Sequence, residues 1–234
     1  FESMKASFPL RERLPPVGDP IRIRLNNPFR VFDWTFGGRY RPFFVDSGTT
    51  ALRLAVSIAQ LRAGVSGNVG IPAYACPNLV SACIAAGAPP RLYDTLPKAP
   101  VFTDYDVSAS KMIATIATHF LGLRHPEQPI RSQANRSNAM IIEDSAQWFP
   151  MGGEGFFGDA VVLSFGRGKP VSLTIGGCLL VSESLRNHAE EAIRGYQKAD
   201  ISWATTATQV LHDVAIRPHV YSLVCRLPFL AVGD

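Results

Sequence analysis

Apolar and polar positions switch between two periods along residues 43–200, and the switches mark strands and helices. Short apolar runs at Phe43–Val45, Val69–Ile71, Arg91–Tyr93, Met112–Ala117, Met140–Ile142, Ala160–Leu163 and Cys178–Val181 read as strands bounded by turn residues. Between them, Thr49–Arg62 carries helical spacing through Leu52, Ala55, Val56 and Ala59. Asn78–Ala86 reads as a helix, and a weaker helical pattern covers Glu127–Gln133. After the last strand, Glu183–Gln197 and Thr205–Leu227 read as helices. Strands that alternate with helices build βαβ units, so the expected fold class is α/β, a mixed, mainly parallel sheet sandwiched by helices. Residues 1–42 are weakly patterned and rich in proline and arginine. They read as an N-terminal arm with one short strand at Ile21–Leu25, ahead of a large domain over 43–200 and a helical segment over 201–234.

The 234 residues are 47% hydrophobic and 18% charged, enough apolar material for a sizeable core. The net charge of +4 comes largely from early arginines interleaved with prolines and acids. They form no helical stripe, so nucleic acid is not the expected partner, and a pocket for an anionic small molecule uses the charge better. The four cysteines (Cys76, Cys83, Cys178 and Cys225) make no Cys-x-x-Cys pair and have no histidine at metal spacing. Their apolar settings suit buried free thiols in a reducing compartment, and no metal site is expected. No apolar run reaches the ~18 residues of a membrane span. Phe1–Met4 reads as a tag remnant with no signal peptide after it, and a cytoplasmic address is the expectation.

Candidate chemistry falls at strand ends, where ligands sit in open α/β sheets. Lys169 follows the strand ending at Ser164 after a turn holding Gly166 and Gly168, and it stands before Pro170. A lysine there is either a solvated turn residue or a nucleophile whose proton is loosened by desolvation and a neighbouring cation such as Arg167. Ser47-Gly48-Thr49-Thr50 follows a strand and opens a helix; it is either a plain N-cap or a cradle for a phosphate. Asp144, just past Met140–Glu143, is either a helix cap for Ser145–Phe149 or a carboxylate facing the cleft. Gln147, three residues on, shares that cleft or completes a capping box with Asp144. His119 also ends a strand, where a lone histidine is more often structural.

Four segments, in order, carry a resemblance: Asp46-Ser-Gly-Thr-Thr-Ala-Leu52, Ile71-Pro-Ala-Tyr-Ala-Cys-Pro77, Ile141-Ile-Glu-Asp-Ser-Ala-Gln147, and Ser164-Phe-Gly-Arg-Gly-Lys169 with Gly176-Gly177 beyond. Together they resemble the DegT-like nucleotide-sugar aminotransferases, a family of fold-type I pyridoxal-phosphate enzymes. The resemblance implies that 43–200 is a domain binding pyridoxal 5'-phosphate and that Lys169 bonds to the cofactor's aldehyde. It implies that Asp144 partners the pyridine nitrogen and Gln147 the phenolic oxygen, while Gly48, Thr49 and Ser164, with Ser47 beside them, hold the phosphate. The implied activity moves an amino group from glutamate to a keto sugar carried on a nucleotide, in a homodimer with small-molecule substrates.

Three departures accompany the resemblance. Cys76 stands where members usually place an aromatic ring over the cofactor, with Tyr74 nearby. The asparagine loop that members extend to the neighbouring subunit has only a loose counterpart in Gly195-Tyr-Gln-Lys198. The family's smaller C-terminal domain has no counterpart before Asp234. Two alternatives therefore stand beside the aminotransferase. One is a non-catalytic or shortened relative that keeps the fold as a binding module. The other is a pyridoxal-phosphate-dependent sugar dehydratase, which Lys169 opposes because dehydratases of this family carry histidine there.

Overall fold

The computed structural model describes residues 32–96, 99–102, 111–150, 155–173 and 175–196, with 207, 208, 210, 211 and 214–224 beyond them. The expected strand Ile21–Leu25 and Cys225 lie outside the described residues. Residues 24–200 make one compact unit, and 1–23 with 201–234 make a second.

The first unit is built on a seven-stranded sheet. Its strands are β1 (Tyr40–Val45), β2 (Asn68–Pro72), β3 (Pro90–Tyr93), β6 (Met112–Thr118), β7 (Met140–Asp144), β8 (Ala160–Ser164) and β9 (Gly177–Ser182). A separate two-stranded piece, β4 (Thr95–Leu96) with β5 (Ala99–Phe102), was not legible in the pattern. The sheet order is β1-β9-β8-β7-β6-β2-β3. The pairs β8–β7, β7–β6, β6–β2 and β2–β3 are parallel, whereas β9 runs antiparallel to both β8 and β1. The sheet is thus mixed and mainly parallel, in keeping with the pattern. Because two antiparallel pairings separate β1 from β8, those strands point the same way. The carboxyl ends of β1, β8, β7, β6 and β2 therefore share one sheet edge with the amino end of β9.

Alternation decides which side chains face which layer. Met140 and Ile142 of β7, Ala160 and Val162 of β8, and Leu179 and Val181 of β9 share a core with α1 (Gly48–Ala63), α2 (Asn78–Ala85) and α4 (Arg186–Ile193). On the opposite face, Ile141 and Ala117 pack with Ile130 and Ala134 of α3 (Glu127–Ser137). Nearer the β1 edge that face is covered by rings, with Val161, Leu163, Cys178 and Leu180 beside Tyr40, Phe156 and Phe165. Burying one such aliphatic side chain contributes roughly 1.5–3 kcal/mol, so the tightly filled core supplies most of the rigidity at the sheet edge.

Several boundaries differ from the pattern. β1 starts at Tyr40 rather than Phe43, with Pro42 paired to Leu180. An edge strand tolerates a residue without an N–H, so Pro42 does not stop it. α3 runs on to Ser137, where Asn138 ends it in the left-handed region at φ 51°. The helix expected over Glu183–Gln197 is a 3-10 turn at Glu183–Leu185 followed by α4, with a turn at Arg194–Gly195. In the second unit the helix expected over Thr205–Leu227 is broken at Ile216–Arg217, and Pro218–Val224 is helical on its own. The residue before a proline is disfavoured in helical conformation, and a proline starts a helix well. Among the described residues, no helix is long and apolar enough to cross a membrane.

Candidate functional site

A cavity of about 310 Å³ opens at the shared carboxyl edge of the strands. The turn from β1 into α1 brings Ser47, Gly48 and Thr49 to it, and the loop after β2 brings Cys76. The end of β7 contributes Asp144 and Gln147, and the end of β8 contributes Ser164 and Lys169. Ser47, Gly48, Thr49, Cys76, Asp144, Gln147, Ser164 and Lys169 thus line one concave site.

The amino terminus of α1 forms one wall. Ser47 caps the helix, its Oγ accepting the Thr50 N–H at 3.1 Å. The cap and the cavity are not alternatives here, since Ser47 serves one and lines the other. The first-turn N–H groups of a helix have no intrahelical acceptors and carry the positive end of its dipole. Two glycines let this turn settle onto the sheet. A Cβ at Gly48 would stand 2.8 Å from the Ser164 Cβ, and one at Gly177 would stand 2.6 Å from the Ser47 carbonyl carbon. Backbone N–H groups and the Ser164 hydroxyl therefore converge on a space suited to a phosphate.

Asp144 is the last residue of β7 and is only 6% exposed. Its Oδ1 accepts the Ala146 N–H at 3.2 Å. Ser145–Phe149 is not helical, so the readings of Asp144 as a helix cap, and of Gln147 as its capping-box partner, are overturned. The chain instead leaves β7 in irregular conformation, held by the Ser145 hydroxyl donating to the Trp148 carbonyl at 2.6 Å. Burial pushes the Asp144 carboxyl above its ordinary value, while the Ala146 N–H, Lys169 and His119 pull it back down. A buried carboxylate without such neighbours would be costly.

Lys169 follows Gly168, which adopts φ 71°, and the lysine is half-buried. Arg167 is exposed and does not line the cavity, which corrects the expectation that it acts beside the lysine. Lys169 interacts electrostatically with Asp144. Cys76 is exposed, against the expectation of a buried thiol, because it lies in the loop at the cavity mouth; Cys83 and Cys178 are buried. Burial pushes the Cys83 thiol up to about 11 and the Cys178 thiol up to about 12, leaving both inert. Tyr74 is 66% exposed and rests on Phe120. Tyr196, from the loose loop candidate, accepts the Asp46 N–H on its hydroxyl at 2.8 Å.

His119 is buried with both ring nitrogens hydrogen-bonded, in keeping with the structural reading, and it also lines the cavity. Its Nε2 lies 2.7 Å from Glu143 Oε1, and both side chains are fully buried. Glu143 Oε2 also accepts the N–H groups of Phe157 and Gly158, at 2.8 and 2.7 Å. The His119 Nδ1 accepts the His125 N–H at 2.8 Å, so the ring proton facing Glu143 sits on Nε2. The pair ties the ends of β6 and β7 together directly beside Asp144. Sequence reasoning missed Glu143 as that partner, although a histidine and a glutamate at two adjacent strand ends were a usable signal. It also missed Thr118 and Phe120, which line the cavity. Thr118 is 7% exposed, and its buried Oγ1 has no hydrogen-bond partner among the described residues.

The fold is similar to that of the aminotransferase from Psychrobacter cryohalolentis, at 18% identity over 72% of this chain and 44% of that one, with a TM-score of 0.54. It is similar to DesI solved in the presence of its TDP-sugar product, at 22% identity over 77% of this chain and 50% of that one, with a TM-score of 0.56. A third similar structure is NtdA from Bacillus subtilis with bound cofactor PMP, at 22% identity over 80% of this chain and 46% of that one, with a TM-score of 0.52. At such identities the likeness is one of fold, and the chain spans about half the length of these relatives. No curated protein sequence matches the chain. The model of the DegT/DnrJ/EryC1/StrS aminotransferase family matches residues 36–211, a stretch that holds all four motif segments and every residue lining the cavity. The chain therefore belongs to the DegT/DnrJ/EryC1/StrS aminotransferase family.

Proposed function

We propose that the cavity holds pyridoxal 5'-phosphate and that the chain serves an aminotransferase moving an amino group from glutamate to a nucleotide-linked keto sugar. The observation that carries this reading is the meeting of Lys169, Asp144, Gln147, Ser164 and the α1 terminus around one space. The donor set fits the cofactor group by group. Backbone N–H groups of Gly48 and Thr49, with the Ser164 hydroxyl, suit a phosphate, and the buried Asp144 carboxylate suits a protonated ring nitrogen. The Gln147 amide suits a phenolic oxygen.

Pyridoxal phosphate, when bound, supplies an electron sink for negative charge at the carbon whose amino group is exchanged. The chain's residues supply the rest. Asp144 holds the proton on the ring nitrogen. Lys169 would hold the cofactor's aldehyde, and its Nζ, at the same wall of the cavity, would be the group placed to move a proton at the reacting carbon. Gln147 and the phosphate cradle fix the ring's orientation. The volume of about 310 Å³ lies at the small end of the range for ligand pockets, roughly 300–1,000 Å³. It suits a single-ring cofactor, which leaves the nucleotide of a sugar substrate outside. DesI was solved with its TDP-sugar product and NtdA with PMP, and both support this choice of substrate and cofactor class. We read residues 43–200 as the cofactor domain and the active form as a cytoplasmic homodimer.

The test is to load the chain with pyridoxal phosphate, reduce with borohydride and map the labelled peptide. The expected label is on Lys169, and a cofactor absorbance that shifts on adding glutamate is expected with it. Label on Lys111 or Lys198, or none, overturns the assignment. Label on Lys169 without any response to glutamate favours a binding module instead.

A further inference from the structure

The chain has a turn after β6 whose conformation is unfavourable and whose first residue, Phe120, lines the cavity. At Phe120–Gly122, Leu121 adopts φ 55° and ψ 29° and Gly122 follows at φ 77°. A left-handed leucine is strained, and such strain persists only where the surroundings over-determine it. Three bonds do so. The His119 N–H donates to the Asp144 carbonyl at 3.0 Å, the Leu121 N–H to Gln147 Oε1 at 2.7 Å, and the Leu123 N–H to the Phe120 carbonyl at 3.0 Å. The Leu121 side chain itself is 71% exposed, so its own packing does not offset the strain. What the turn achieves is the placement of its neighbours. Phe120 lines the cavity between the residues tied to Asp144 and to Gln147. Its ring is held edge-on by Tyr74, with centroids 5.1 Å apart and planes at 66°.

We propose that Phe120 is the aromatic wall of the ligand site, braced by Tyr74, and that it takes the place left by the thiol of Cys76. Among the described residues lining the cavity, Phe120 is the only phenylalanine, tyrosine or tryptophan. A flat heteroaromatic ring gains from an aromatic face or edge well beyond the area it buries. Cys76 also lines the cavity, but a thiol offers no such face. The wall therefore sits on the β6–α3 turn in this chain, and the strain at Leu121 is the cost of putting it there. This inference rests on the reading of the cavity as a pyridoxal-phosphate site.

Pyridoxamine phosphate, which lacks the aldehyde and so cannot bond to Lys169, isolates the ring and phosphate contacts. Its affinity is measured by equilibrium dialysis, with inorganic phosphate as competitor. Phe120→Leu and Phe120→Ala are expected to weaken pyridoxamine phosphate roughly tenfold while inorganic phosphate binds as before. Tyr74→Ala is expected to give a smaller loss. Phe120→Trp is expected to retain affinity, and its extra emission over the parent chain should be quenched by the ligand. Thermal melts check folding, and Phe120→Leu keeps an apolar side chain should the alanine variant melt early. If Phe120→Leu binds pyridoxamine phosphate within twofold of the unsubstituted chain, the inference is overturned while the cofactor reading stands. If the unsubstituted chain does not bind it at all, both are overturned.

Discussion

The backbone N–H of Leu121 donates to Gln147 Oε1 at 2.7 Å, and this decides which end of the Gln147 amide faces the cavity. An N–H can meet only the oxygen, so the amide nitrogen is left to face a ligand acceptor. Gln147→Glu keeps the contact to Leu121 but replaces the facing donor by a second oxygen. Pyridoxamine phosphate should then bind about 10–100-fold more weakly, in line with roughly 1.5–3 kcal/mol for a hydrogen bond to a charged group. Unchanged affinity in a dialysis measurement would show that the ligand does not read this amide.

Asp144 is predicted to trade stability for chemistry. Burial raises its pKa above the ordinary 3.8. Below that value it is protonated in both folded and unfolded chains and makes no difference. As pH rises past it, the unfolded chain ionises first and the folded state loses stability until the raised folded pKa is passed. Asp144→Asn without ligand should therefore melt higher than the parent at pH 7, with the gain vanishing near pH 4. The same variant should lose at least ~10²-fold in amino-group transfer, as expected for charge removed at a reacting centre. A melting gain that does not depend on pH would refute the ionisation argument.

Gly48 and Gly177 should respond differently to alanine. At Gly48 the new Cβ meets the Ser164 side chain, with Cβ atoms 2.8 Å apart, so the clash can be relieved by trimming the partner. Gly48→Ala should cost about 1–3 kcal/mol, and Ser164→Gly added to it should recover much of the melting temperature. Phosphate affinity should stay low in that pair because the serine hydroxyl is gone. At Gly177 the obstacle is backbone, 2.6 Å from the Ser47 carbonyl carbon and 2.7 Å from the Gly48 nitrogen. No side-chain change should rescue Gly177→Ala, and a rescue by Ser164→Gly would disprove the distinction.

His125 gives the fold an acid limit. It is 2% exposed, and burial pulls its pKa from 6.5 to about 4, opposed by its bond to the Pro126 carbonyl. Above about pH 6.5 the ring is neutral in both states. As pH falls from there towards 4 the unfolded chain takes the proton first, so stability drains away by roughly 3 kcal/mol. Denaturant melts between pH 7.5 and 4 should show this loss, and His125→Asn should flatten it. A variant whose pH profile matches the parent would assign the acid sensitivity to other groups.

Much of this protein is written locally. The apolar runs that became β2, β7, β8 and β9 are bounded by turn residues, and α1 announces itself through Ser47 before it and the apolar spacing within it. Such signals act over a few residues, through alternation, capping and backbone freedom, so a linear reading recovers them. The motifs carrying Ser47, Asp144, Gln147, Ser164 and Lys169 were legible for the same reason, since each sits where a strand gives way to a turn. The extent of β1 was not legible, because whether Pro42 interrupts a strand depends on its being at the sheet edge, and edge position is a property of the whole sheet.

The sequence by itself determined the alternation of strands and helices and the residue types available at their ends. Only the tertiary structure decided how they meet. The sheet order brings β1 round beside β9, so that Gly48 and Ser164, far apart in sequence, come into close contact. It pairs His119 with Glu143, exposes Arg167 and Cys76, and turns Phe120 into the cavity through a strained neighbour. Each of these depends on contacts between segments that are distant along the chain. A residue's spacing to its neighbours carries no information about them, whereas close packing of the folded chain fixes them to within a fraction of an ångström.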